Sequence, residues 1–209
     1  RSNNDNYIDF MPDPLTVKGS WKDLLLIDTN YQDYCLYNPL TMQQLVLPLP
    51  AGGDYVFCGF LCEPKDSQLC YKILKIASVI ENESDYVLDA LVFCSETGKW
   101  CQSTFSCPRT LAPRFTDWGD CVASNGILYS CLQGREEFRG FAAFDLSKGS
   151  STDGDPIRVR FIHLPNGFSR GWRACPEYVY HGVVQGCLRL SQVVKKKERI
   201  FCQSLGIES

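Results

Sequence analysis

The chain has 209 residues, 44% of them hydrophobic and 12% aromatic, with a formal net charge of −3. That apolar and aromatic content supports a folded core and excludes a disordered, charge-dominated chain. The near-neutral balance gives no field towards nucleic acid or an anionic membrane, and no stretch approaches the roughly 20 apolar residues of a membrane helix.

Residues 1–20 read as a polar lead-in without the apolar core of a signal peptide. The folded domain is expected over 21–209, incomplete at its C-terminal side. Leu24–Ile27 is an apolar strand. Tyr34–Tyr37 leads through the turn Asn38-Pro39-Leu40-Thr41 into Gln44–Pro48. The next strands are Tyr55–Leu61, Leu69–Ser78 and Tyr86–Cys94, then a turn at Ser95–Gly98 and Lys99–Phe105. Asp120–Ser124 runs into Ile127–Cys131 through Asn125-Gly126, a pair that tolerates positive φ and so signals a hairpin. Phe141–Phe144, a turn over Asp145–Gly149 and a strand over Ile157–Phe161 follow. Lys195-Lys196-Lys197-Glu198-Arg199 reads as a hairpin tip kept soluble by charge. No segment carries a helical apolar rhythm with caps at both ends, so the chain is read as all-β.

A repeat runs through these elements. The aromatic residues Tyr37, Phe93, Phe144 and Phe201 each close a short apolar strand, and they stand 56, 51 and 57 residues apart. That period suits four-stranded blades of the kelch size class. The expected fold is therefore a kelch-like β-propeller or partial propeller of about four four-stranded blades. An ordinary β-sandwich with evenly spaced hairpins is the competing reading.

Twelve cysteines stand at 35, 58, 62, 70, 94, 101, 107, 121, 131, 175, 187 and 202. Most lie in apolar runs, as Cys35 and Cys187 do, where free cysteine packs as a small hydrophobe. Reduced thiols in the cytoplasm or nucleus are expected, with a secreted disulfide framework as the alternative. No Cys-x-x-Cys pair exists, and His163 and His181 do not pair at ligand spacing, so no metal site is expected. No cofactor is expected either: Gly52-Gly53 and 149–154 form no phosphate-binding pattern. Ser151–Asp155 lacks the later glutamate of a calcium loop. The sequon Asn82-Glu83-Ser84 matters only in a secreted protein. No nucleophile sits beside a positioned base, so no catalytic residue is expected.

The motifs Leu24–Ile27, Tyr37-Asn38-Pro39-Leu40-Thr41, Leu47-Pro48-Leu49-Pro50, Glu63–Ser67, Tyr71-Lys72-Ile73, Asn125–Tyr129, Ala143–Leu146 and Gly186–Leu190 together resemble the F-box-associated domain of plant F-box proteins. The resemblance covers the chain from about Trp21 onward. It departs where that family often has an apolar motif, at Gly19-Ser20-Trp21-Lys22-Asp23, the place of the first inner strand. It implies a propeller-like domain that recognises protein substrates for a Skp–cullin–F-box ubiquitin ligase. Contact with a Skp-type adaptor and cullin would come through an F-box, which this stretch of sequence does not contain. A secreted or cytosolic β-propeller or β-sandwich with glycan-binding or hydrolytic activity is the alternative.

In a blade array, the connections from an outermost strand to the next innermost strand share one face. Here they are Leu49–Tyr55, Ser106–Trp118 and Pro165–Pro176. The second carries Arg109, Arg114, Phe115 and Trp118. The third carries Phe168, Arg170, Trp172 and Arg173. Aromatics and arginines dominate interface hot spots, so these eight are the candidate partner-binding residues. Trp118 and Trp172 as structural wedges between blades is the competing reading.

Overall fold

The computed structural model describes residues 15–29, 33–48, 57–65, 68–81, 85–108, 118–133, 138–147, 156–164, 179–196 and 199–207. Strands and tight turns account for nearly all of them, and no helix occurs among them. The chain divides into two compact units, Arg1–Ala51 and Gly52–Ser209.

The first unit holds one antiparallel sheet in the order β1 (Leu15–Trp21), β2 (Leu24–Thr29), β3 (Asp33–Asn38), β4 (Gln43–Val46). β1 begins at Leu15, within the stretch expected as a polar lead-in. Gly19, Ser20 and Trp21 pair with Leu26, Leu25 and Leu24. The inner strand therefore forms despite the missing family motif, because ladder pairing uses backbone groups that any of these residues supplies. Leu26, Ile27, Cys35 and Leu36 are all buried. Adjacent residues of a strand face opposite sides, so these two central strands are covered on both. The Asn-Pro-Leu-Thr segment works as an Asx turn: the Asn38 side-chain oxygen accepts from the backbone N–H of Leu40 (2.9 Å) and Thr41 (3.2 Å).

The second unit holds three sheets. β5 (Phe57–Lys65), β6 (Gln68–Glu81), β7 (Asp85–Cys94) and β8 (Lys99–Pro108) form the first in sequential order. β9 (Trp118–Ser124), β10 (Ile127–Gln133) and β11 (Phe138–Asp145) begin the second. The expected strand Ile157–Phe161 is split into β12 (Ile157–Arg158), which joins β8 in parallel, and β13 (Arg160–His163), which pairs with β11. The break falls at Val159, which is buried and donates its backbone N–H to Ser106 (2.7 Å). The chain changes sheets there because this backbone hydrogen bond goes to β8 and not to β11. The third sheet has three strands among the described residues: β14 (Val179–Val184), β15 (Cys187–Lys196) and β16 (Arg199–Ile207). Lys196 pairs with Arg199, so the charged run is a hairpin tip as expected.

Tyr37, Phe93, Phe144 and Phe201 all fall on the third strand of their sheets, β3, β7, β11 and β16. The repeat read from spacing is thus a repeat of position within a blade.

Alternation explains why β10 and β11 are apolar almost throughout. Leu128, Leu132, Ala142 and Phe144 enter a core with Leu74, Leu88 and Phe105 of the β5–β8 sheet. Their neighbours Tyr129, Cys131, Phe141 and Ala143 enter a second core with Leu188 and Leu190 of β15. The middle sheet is buried on both faces, which demands near-continuous apolar strands. Phe105 and Phe144 meet edge to face at 5.4 Å.

Candidate functional site

In each antiparallel sheet, the turns joining first to second and third to fourth strands lie at one end. Entry into the first strand, and exit from the last, lie at the other. Within the second unit the turn ends are tied together. Asn125 (φ 51) and Gly126 (φ 77) form the β9–β10 turn, and Gln185 (φ 52) and Gly186 (φ 76) the β14–β15 turn. Two successive positive φ values match the twist of a tight hairpin. The Ser124 hydroxyl donates to the Gly186 carbonyl at 2.8 Å, and the Gly126 N–H donates to the Glu63 carboxylate of β5. The Lys72 ammonium of β6 donates to the Leu146 carbonyl, and Leu146 donates its own N–H to the Gly126 carbonyl. This clasp joins the three sheets and was not anticipated from sequence, where only the Asn-Gly turn itself carries a signal.

β8 and β13 therefore end, and β9 and β14 begin, at the end opposite the clasp. Arg109, Arg114, Phe115, Phe168, Arg170, Trp172 and Arg173 lie outside the described residues. Trp118 opens β9, where its backbone pairs with Leu132. The sequon at Asn82 and the run Ser151–Asp155 also lie outside the described residues.

The remaining chemistry is muted. His163 is exposed and stacks edge-on against Phe161 at 4.5 Å, and His181 sits edge-on to Phe141 at 5.5 Å. Burial pushes the Cys107 thiol up to about 11, with the Asp85 charge adding to it. Burial also raises Cys35, partly offset by a backbone hydrogen bond from Leu45. A reactive cysteine needs its pKa lowered, so both shifts run the wrong way for a nucleophile. Nine cysteines, at 35, 62, 70, 94, 101, 107, 121, 131 and 187, are free thiols; Cys35 is buried as expected, whereas Cys187, at a hairpin end, is exposed. Among the described residues, no group of three or more His, Cys, Asp or Glu side chains is placed to hold a metal ion. No helix among them is long and apolar enough to cross a membrane.

Sequence reasoning also missed a buried lysine. Lys75 on β6 is 1% exposed, and its ammonium lies 5.7 Å from the centre of the Trp100 ring. The Trp100 ring ends a row of aromatics that crosses the sheet through Phe93 (5.4 Å) and Tyr71 (5.9 Å further) to Phe60 (6.4 Å). Such a row extends a cation's favourable ring contacts but presents no reacting group.

Successive antiparallel sheets, with a shared strand position every fifty-odd residues and inner strands apolar on both faces, define the β-propeller class. The family is more specific. Residues 8–193 match the family model described as "F-box protein At3g26010-like, beta-propeller", and the chain belongs to that family. It is 28% identical over 152 residues to "Putative F-box/kelch-repeat protein At4g22430" of Arabidopsis thaliana, covering 71% of this chain and 32% of the relative. It is 35% identical over 130 residues to "F-box protein At3g26010" of the same plant, covering 59% of this chain and 30% of the relative. The matched stretch thus spans about a third of the length of these relatives.

Proposed function

We propose that this chain is a non-catalytic substrate-recognition module of an F-box subunit in a Skp–cullin–F-box ubiquitin ligase, working in the cytoplasm or nucleus. The observation that carries the reading is the family membership, joined to two relatives whose names describe them as F-box proteins. In this reading the strands form a rigid scaffold, and the connections after β8 and β13 grip the recognised protein. Arg109, Arg114, Phe115, Trp118, Phe168, Arg170, Trp172 and Arg173 supply the large, directional contacts that dominate interface energetics. The adaptor and cullin are held through an F-box elsewhere in the parent protein.

Affinity purification of the full-length gene product from its native tissue tests this. Recovery of a Skp-type adaptor and a cullin at near-stoichiometric amounts is the expected result. A full-length protein that folds but brings down neither would refute the ligase reading.

A further inference from the structure

We infer that the outer edge of β4 accepts an extended, uncharged, apolar segment of the recognised protein as an added strand. β4 ends its sheet, and all four of its residues are exposed. Leu45 and Val46, on opposite faces of the strand, are 54% and 64% exposed, and the adjoining turn adds Leu40 at 80% and Met42 at 45%. From Pro39 to Pro48 no side chain is ionisable. Of the devices that blunt an open edge, Gln43–Val46 carries no charge, proline or bulge, and its four-residue length is what limits pairing there.

Elsewhere the same fold protects its edges. β8, the equivalent fourth strand of the next sheet, is covered in parallel by β12, with Ile157 opposite Phe105 and Arg158 opposite Ser106. β13 carries the exposed Arg160 and His163. The cover on β8 is supplied by the long connection between β11 and β13. The corresponding connection between β7 and β8 is only the turn Ser95–Gly98, too short to supply a strand. No counterpart for β4 therefore exists among the described residues.

The chemistry of the edge selects its occupant. A charged strand laid on this uncharged edge would lose hydration and gain no ion pair, so a neutral strand is preferred. Backbone hydrogen bonds would supply affinity, and Leu45 and Val46 would favour apolar side chains on both faces of the incoming strand. This inference rests on the protein-recognition reading above.

The test uses the 209-residue chain and a labelled, capped peptide of sequence Ser-Thr-Val-Ile-Val-Ile-Thr-Ser, apolar on both faces, followed by fluorescence anisotropy. Saturable binding is expected. It should weaken at least tenfold when alternate peptide nitrogens are methylated, and equally in Leu45→Lys or Val46→Lys. Tyr180→Lys, at an exposed apolar position on β14, should leave it unchanged, and circular dichroism verifies that each variant folds. No binding, equal binding of the methylated peptide, or insensitivity to both β4 substitutions would overturn the inference. So would a β4-dependent dimer in sedimentation, because a second copy would then be the occupant. Adaptor recovery by full-length Val46→Lys reads the ligase assignment separately: recovery with β4-independent peptide binding defeats only the strand addition.

Discussion

Gln185 holds a left-handed backbone at φ 52, at the turn position where its counterpart in the previous sheet is Asn125. An L-residue with a full side chain pays about 1–2 kcal/mol there, and glycine pays none. Gln185→Gly should therefore raise stability by about 1 kcal/mol, less the entropy that glycine adds to the unfolded chain. Equilibrium urea denaturation measures it. Gly140 is the converse case. Its φ is +138, and an added Cβ would meet the Ile162 carbonyl oxygen at 2.4 Å. Gly140→Ala should lower stability by about 2 kcal/mol or more through backbone strain and displacement of β13.

Titration offers a third residue-scale outcome. The Cys107 thiol lies at about 11 in the fold against an ordinary 9.0. Between those values the folded state keeps a proton that the unfolded state has lost. Stability is therefore intact below pH 9 and falls as pH rises towards 11. Burial raises Tyr71 and Cys35 as well, in the same direction. Denaturation at about pH 8 and about pH 10.5 should show the loss, and Cys107→Ala should reduce it. These residue-scale features were the least legible in the sequence. The same apolar-run argument that placed Cys35 correctly failed for Cys187, because exposure at a hairpin end depends on what packs beside it. Lys75 could not be recognised as buried for the same reason.

At the scale of elements, what was local was readable. The Asn-Gly turn, the Asn-Pro-Leu-Thr turn and the basic hairpin tip each carry their own backbone chemistry, and each sits where expected. The division of Ile157–Phe161 between two sheets was not readable, because an alternating run of five residues has the pattern of a single strand. Only the choice of partner decides the matter, and that choice depends on Ser106, far away in the chain. The latch yields its own prediction. Val159→Asp puts a charge into the core beside β8 and should destabilise the protein by about 3 kcal/mol. Hydrogen exchange should show loss of protection first at the β8–β12 edge, whereas uniform loss across all sheets would show that the latch is not a separable element.

At the scale of the molecule, the blade period was legible because each sheet carries an aromatic residue on its third strand, of which Phe93 and Phe144 are buried. The proposed binding surface was less so. Composition picks out the connections rich in arginine and tryptophan, and the strands that flank them end or begin away from the Glu63–Gly126–Gly186 clasp. Which of those side chains touches a partner is set by the partner's own surface, and no single sequence carries that information.

The most direct test compares the full-length protein with a variant carrying Arg109→Ala, Arg114→Ala, Arg170→Ala and Arg173→Ala, each purified from native tissue and quantified by mass spectrometry. Equal recovery of adaptor and cullin, with at least a tenfold drop in one or more additional bound proteins, is the result expected of a receptor that grips through these connections. An unchanged set of bound proteins would contradict it.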